Sequence, residues 1–519
     1  MFESIYPYAI IAVLFSVIWW FFRTNVGKST YGPVLSFWGS TIVYALTLFL
    51  TDFSFYYKLL TMLPRDFIAV VMVVLLANNL KSTRALYFTV VGVGVAGYFL
   101  YSNFIPQTIE KYWNQTEEVI VPDSIEELAA NGELMIDLKN KNQLSIVQSA
   151  INVYGATLTK AFPDLVHEEY SELDDYYLLD IPDDQVKNIN QIIKVLYATN
   201  AIDWVETNEI IRLSPEENIS DSSPSKGIDY GINDPQLDKM WGFEKMQVAE
   251  YYNHLRKNKV KPKKKAKIAI LDTGVDSDHE DIKTNYVSTQ KKYDYDKQSH
   301  GTHCAGIAAA VSNNGLGVAS LALDKKFVSV TSIKVLSDQG WGTQADIIRG
   351  MIEAADKGAD IISMSLGGPA NSQSQKAYEE AIRYADKSGA IIVVAAGNSN
   401  KNAKTSVPAS CKGVIVVSAL NSNLEKASFS NFVSDMEMGI AAPGQDIMST
   451  IPGNKYASYS GTSMATPYVA GLLGIMKSLN PDLKTKDAFK ILQSTGFETK
   501  DTKMTGRLIN PLKVVEKLK

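Results

Sequence analysis

Apolar residues crowd the N-terminal part of the chain in four stretches, 5–22, 34–50, 67–80 and 85–105. A bilayer crossing takes about 20 apolar residues, so the pattern predicts a transmembrane region over 1–110 with about four helices. The third stretch is the short one: it follows Asp66, has to borrow residues 59–63, and brings Arg65 near a headgroup. A cleaved signal peptide in place of the first helix is disfavoured. Glu3 stands among the opening residues without a basic one, and Trp19, Trp20, Phe21 and Phe22 replace the small residues that cleavage needs. The connections after the first and third helices carry Arg23, Lys28, Lys81 and Arg84, against Lys58, Arg65 and Lys111 diluted by acids on the other side. This asymmetry puts both termini outside the cytoplasm, an orientation that losing the third helix would reverse.

Beyond residue 105 charges recur every few positions, as in globular protein in water. Residues 117–213 read as strand, helix, strand, helix, strand, with strands at 133–138, 176–181 and 202–213 and helices at 144–162 and 185–197. That order suits a small α+β unit of ferredoxin-like type with its helices on one face. A segment rich in Ser, Pro and Asp begins at 214, and 214–232 is expected to be a linker. From 267 onward apolar runs at 267–271, 327–336, 360–364, 390–395 and 414–419 alternate with helical patterns such as 345–357 and 374–387. Alternation of this kind predicts an α/β fold, a parallel sheet covered by helices on both faces, over 233–519. Chemistry in such sheets sits where the strands end.

A length of 519 residues fits about three units, and the net charge of -5 gives no general attraction to nucleic acid. One local run opposes that balance: eight of the twelve residues from Arg256 to Lys267 are Lys or Arg. A solvated loop and a contact for anionic lipid headgroups both fit it. Two cysteines, Cys304 and Cys411, exclude a disulfide scaffold and leave two buried thiols or a single bridge.

The strand ends carry the chemistry. The run at 268–271 leads into Asp272-Thr273-Gly274, and Ser299-His300-Gly301-Thr302-His303-Cys304-Ala305-Gly306 opens a helical stretch. The strand at 391–396 runs into Gly397-Asn398, and Ser460-Gly461-Thr462-Ser463-Met464-Ala465-Thr466-Pro467 precedes an apolar helix. These four motifs, in the order Asp, His, Ser, resemble the subtilase family, whose best-known members are subtilisin and proteinase K. The resemblance covers 233–508 and starts at Asn233-Asp234-Pro235 with Trp241-Gly242 behind it. It implies Asp272, His300 and Ser463 as a catalytic triad and Asn398 as an oxyanion-hole donor. A serine hydroxyl is a poor nucleophile until a neighbouring base takes its proton, and imidazole titrates in the right range for that task. Ser365-Leu366-Gly367 matches the family segment that pairs with the substrate backbone, and Gly340-Trp341-Gly342 matches the strand on its other side.

His303 is expected to be structural and His279 a turn residue. Asp281 matches a family calcium ligand, whereas the loop at 313–318 is shorter than the calcium loop of subtilisin itself and puts the strong site there in question. The position of 117–213, directly before the catalytic unit, resembles the inhibitor propeptides of subtilases; alone it would fit a spacer equally. The sequence therefore leads to a membrane-anchored, multi-pass serine endopeptidase, a hydrolase made as a self-inhibited zymogen with its catalytic unit extracytoplasmic. Expected partners are polypeptide substrates, its own propeptide-like segment and the lipid bilayer. No cofactor is expected for the chemistry. The alternative is a protease fold that has lost activity and serves as a peptide-binding receptor or scaffold, since a fold alone does not prove function.

Overall fold

Gly155 adopts a left-handed backbone, φ +70°, and with it a helix pattern that the sequence carries on to residue 162 stops short. The computed structural model that shows this describes residues 27–50, 128–213, 227–370 and 375–518, with further positions between 9 and 24. The chain forms two compact units, 1–115 and 116–519.

In the first unit α1, Tyr31–Leu50, packs on helical residues before it: Ser16 Oγ lies 2.7 Å from Ser36 Oγ. Among the described residues no helix is long and apolar enough to cross a membrane. The second expected span falls on α1, whose last four side chains are not among the described ones. The first span is described at scattered positions, and the third and fourth lie outside the described residues.

The second unit begins with an antiparallel sheet of order β2-β3-β1-β4, made of β1 (Leu134–Leu138), β2 (Thr157–Lys160), β3 (Tyr176–Asp180) and β4 (Ile202–Thr207). Helices α2 (Leu144–Ile151) and α3 (Ile189–Ala198) cover one face, burying Val147, Ile151, Ile192, Ile193 and Leu196 against Leu134, Ile136 and Val205. The expected helix at 144–162 is therefore too long. After Gly155 the alternating Thr157, Leu158, Thr159 and Lys160 pair with β3, as β-branched residues favour. The expected single strand at 202–213 is also broken. At Asn208 the chain turns, the backbone N–H donating to Glu133 O at 2.8 Å, and β5 (Ile210–Arg212) leaves the sheet to pair elsewhere.

Catalytic-unit strands β6 (Ala266–Asp272), β7 (Val328–Lys334), β9 (Ile361–Met364), β11 (Ile391–Ala395), β13 (Ile415–Leu420) and β14 (Gly439–Pro443) form one parallel sheet of order β14-β13-β11-β9-β6-β7. Apolar residues with hardly a break are the mark of strands covered on both faces, and every residue of β9, β11 and β13 is buried. On one side lie α4 (Val248–Lys257), α5 (His300–Ala309) and α8 (Thr462–Leu479), and on the other α6 (Gln344–Asp356) and α7 (Lys376–Lys387). Short pairs complete the unit: β8 (Trp341–Thr343) with β5, β10 (Gly368–Pro369) with β12 (Ser406–Val407), and β15 (Ile447–Ile451) with β16 (Lys455–Tyr459). The chain leaves β6 toward β7 and β9 toward β11, in opposite directions, so a crevice opens at the carboxyl ends of β6 and β9.

The free face of the antiparallel sheet lies on α6 and α7. Met135, Tyr176, Leu178 and Ile211 share one apolar cluster with Ile348, Tyr378 and Ala381. Several polar groups at this seam are paired across it. Asp137 Oδ2 meets Lys376 Nζ at 2.8 Å, Asn208 Oδ1 accepts from Ala345 N at 3.0 Å, and Glu172 N donates to Glu380 Oε2 at 3.0 Å. Glu206, fully buried, accepts from Gln344 Nε2 at 3.4 Å through Oε1, while its Oε2 has no hydrogen-bond partner among the described residues.

Burial holds Glu206 well above the usual carboxyl range and lifts Asp137 to about 6 despite Lys376. A carboxyl raised in the folded state stabilises most below its unfolded pKa and loses that contribution as pH rises through the folded value. From about pH 4 upward, the melting temperature of Glu206→Gln is expected to gain on wild type as pH rises. Calorimetry across that range measures the difference, and a constant offset would show that the Glu206 carboxyl carries no such linkage.

Candidate active site

Asp272 closes β6 with no exposed surface, so its charge has to be met inside the protein. Both carboxylate oxygens lie 2.8 Å from His300 Nδ1, and Oδ1 also accepts from Thr273 N at 2.7 Å. Burial works against a charged imidazole, but the Asp272 carboxylate prevails and raises His300 well above its ordinary pKa. His300 opens α5, and the loop before it is shaped by Asp296. Asp296 Oδ1 accepts from Gln298 N and Ser299 N, and Oδ2 from Thr302 N and Thr302 Oγ1, at 2.7–3.0 Å. The His300 motif does not include Asp296; a carboxylate just ahead of a helix start is the signal that marks it.

Gly301 sits where α5 meets the end of β6. A Cβ there would overlap the Gly274 carbonyl oxygen and lie 3.1 Å from Asp272 Cβ, so only glycine allows the helix to bring His300 onto Asp272.

Ser463 stands in the first turn of α8, its Oγ donating to Ser365 O at 3.1 Å. Among the described residues no hydrogen bond joins that hydroxyl to His300; such bonds often close only when substrate binds. Cys304, one turn along α5, bridges the two, with Sγ 4.0 Å from His300 Nδ1 and 3.5 Å from Ser463 O. Both cysteines are free and buried. Asp272, His300 and Cys304 also form a group of metal-ligating types. Its imidazole nitrogen is already taken by Asp272, and burial raises the Cys304 thiol pKa, which keeps the sulfur protonated.

Asn398 follows Gly397, φ +100°, at the end of β11. Its Oδ1 accepts from Thr462 N at 2.9 Å and Thr462 Oγ1 at 2.8 Å, which fixes which way the amide faces. A point at the Cβ position of Gly461 lies 3.3 Å from Asn398 Nδ2 and 3.6 Å from Ser463 N. Two donors thus converge beside the Ser463 hydroxyl at a helix start, an arrangement that receives a developing oxyanion.

Ser365, Leu366 and Gly367 follow β9, and Gly340, Trp341 and Gly342 form the turn and start of β8. At Gly342 a side chain would overlap the Val335 carbonyl, so the backbone there has to stay bare. β5 pairs with β8 antiparallel, Ile211 opposite Gly342 and Arg212 opposite Trp341, and Leu213 N donates to Gly340 O at 2.9 Å. Ile211 is buried, its side chain against Gly368. The last strand before residue 214 accordingly lies between the two segments named for substrate.

Away from this crevice, His303 stacks on Tyr459 at 4.4 Å with Nε2 3.0 Å from Ala457 O, and burial lowers its pKa to about 3. His279 Nε2 lies 3.1 Å from Lys455 O in a turn. Asp281 is fully buried, accepting from Asn314 Nδ2 and Val318 N, both at 2.8 Å. Asp234 accepts from Asn313 N at 2.7 Å and Asn314 N at 3.2 Å, so two carboxylates reach the 313–318 loop. Burial pushes Asp281 up to about 7, and no cationic side chain is paired with it among the described residues.

A family model described as the Subtilase family matches residues 263–508. Thermophilic serine proteinase of Bacillus sp. (strain AK1) is 33% identical over 357 residues, 67% of this chain and 78% of that protein. Thermitase of Thermoactinomyces vulgaris is 40% identical over 48% of this chain and 86% of its own length, and subtilisin DY of Bacillus licheniformis 39% over 47% and 88%. The chain belongs to the subtilase family and is a serine-type endopeptidase, a hydrolase.

Moving reacting groups by about 1 Å can cost on the order of 10²-fold in rate. Gly301→Ala is therefore expected to lower kcat/KM by about that factor, read on a chromogenic peptide with circular dichroism to confirm folding. Wild-type turnover in the folded variant would remove this constraint.

Proposed function

We propose that Asp272, His300 and Ser463 are the catalytic triad and that Asn398 with the Ser463 N–H forms the oxyanion hole. The observation that carries the reading is the buried Asp272–His300 pair at 2.8 Å, set in one crevice with Ser463 and the aimed amide of Asn398. His300 takes the Ser463 proton as Oγ attacks the scissile carbonyl, and Asp272 holds the imidazole in the required tautomer and stabilises its cation. The same proton goes to the leaving amine, and water then releases the acyl group by the reverse path. An extended polypeptide enters between Ser365–Gly367 and Gly340–Gly342 as an added strand, so main-chain hydrogen bonds supply affinity. An inactive peptide-binding scaffold would have no use for the buried Asp272–His300 pair.

The pairing of β5 with β8 supports a zymogen. Residues 117–213 act as propeptide, β5 occupies the substrate groove, and the chain is cut within 214–232, separating it from the peptidase domain at 233–519. The membrane reading, with region 1–110 as anchor and the catalytic unit extracytoplasmic, rests on the apolar stretches and the charge asymmetry. It is also supported by α1, which exposes Tyr31, Leu35, Trp38, Ile42, Val43 and Leu46. The triad and the two oxyanion donors call for no cofactor in the chemistry, and a calcium ion is proposed only as a structural clamp. Asp281, Asp234 and Asn314 would hold it, its charge compensating two carboxylates buried near one loop.

Ser463→Ala should abolish peptide hydrolysis with the fold retained, and Asn398→Ala should lose about 10²–10³-fold in kcat. Wild-type-like turnover in purified Ser463→Ala would end the assignment. In that variant the chain should also stay whole by mass spectrometry of its termini, and separately made 117–213 should inhibit the mature enzyme; a segment that neither binds nor inhibits is a spacer.

Protonation of Asp281 competes with a cation, so the gain in melting temperature on adding calcium is expected to be larger above pH 7 than below, and lost in Asp281→Asn. A gain that is the same at both pH values, or absent, would refute the clamp.

A further inference from the structure

The basic run at 256–267 does not stand alone in the fold. It leads into the amino end of β6, where Lys263 N donates to Ser478 O at 2.8 Å and Lys267 Nζ to Lys357 O at 2.7 Å. Ala266 N donates to Phe327 O at 2.9 Å, which brings in the turn carrying Lys325 and Lys326 before β7. Three segments distant in sequence, 256–267, 325–326 and Lys357, thus present lysines on one end of the sheet.

Few acids answer them. Lys264 pairs with Asp360, and Asp324 lies 3.7 Å from Lys326 Nζ. Lys257, Lys259, Lys261, Lys263, Lys265 and Lys325 are exposed, and among the described residues none has a carboxylate partner. The whole chain carries -5, so this concentration of cations opposes its average charge.

Position matters as much as charge. Asp272 ends β6 six residues beyond Ala266, about 20 Å away at the rise of a strand, so the lysines and the triad mark opposite ends of the sheet. A surface bound to the lysines leaves the substrate crevice facing away.

We propose that this lysine face docks on the anionic headgroups of a bilayer and turns the active site toward the solvent side. The proposal builds on the membrane reading above, which supplies the occupant: a chain tethered by its apolar N-terminal region would hold this face within reach of lipid, where clustered lysines are attracted to acidic headgroups within a Debye length.

The test uses the full chain in lipid nanodiscs of phosphatidylcholine alone or with about one third phosphatidylglycerol. Amine acetylation read by mass spectrometry should be at least about three-fold slower at Lys263, Lys265 and Lys325 in the anionic discs. Lys401 and Lys404, near the other end of the sheet, serve as controls and should label alike in both. About 0.5 M salt should remove the protection, as should joint replacement of Lys263, Lys265, Lys325 and Lys326 by Gln, with peptide hydrolysis unchanged. Equal labelling in the two lipids overturns the proposal. If the chain enters neither disc, the membrane reading fails by itself, and pelleting with vesicles of the same two compositions decides the surface: salt-sensitive binding to the anionic vesicles alone supports it, and no preference refutes it.

Discussion

A carboxylate with no exposed surface has to be met by a partner, and at the end of β6 that partner is the imidazole of His300. Much else in the catalytic unit serves this contact. The left-handed Ser299 and the bare Gly301 let α5 start close against β6, and Asp296 fastens the loop by accepting from both sides of the helix start. Thr462 ties Asn398 to the start of α8, so the donors beside Ser463 are set by the same packing that buries nearly the whole of that helix. The result is a site organised before substrate arrives, which is where electrostatic stabilisation of a transition state is most effective.

A second constraint acts on the antiparallel sheet at 134–207. It covers one face with its own helices and leaves the other apolar, and that face is buried on α6 and α7 in a cluster continuous with the catalytic core. Buried polar groups at such a seam cost free energy unless paired, and here Asn208 meets the Ala345 N–H, Asp137 meets Lys376, and Glu206 Oε1 accepts from Gln344. Docking the sheet this way also decides where its chain leaves, and β5 is delivered to the edge of β8. The pairing of β5 with β8 and the packing of the sheet are one event.

Apolar runs with hardly a break made the parallel sheet legible, because strands buried on both faces need no polar side, and four motifs at strand ends marked the crevice. The small sheet is less legible. The run at 176–181 reads as a strand, but Gly155 and the alternating threonines at 157 and 159 read as part of a helix, because a short strand of exposed and half-buried residues has almost no hydrophobic signature. The break at Asn208 was also invisible, since β4 and β5 together read as one strand until their partners are known.

The sequence by itself determined the fold class of the catalytic unit, the order Asp272, His300, Asn398 and Ser463, and the family, because these depend on residue types and local periodicity. Only the tertiary structure decided that Asp296 organises the loop before His300 and that Cys304 lies between His300 and Ser463. It alone put Ile211 opposite Gly342 and gathered lysines from three segments on one end of the sheet. These facts rest on contacts between residues far apart along the chain, and such distances are set by how helices and strands pack, which no local pattern encodes.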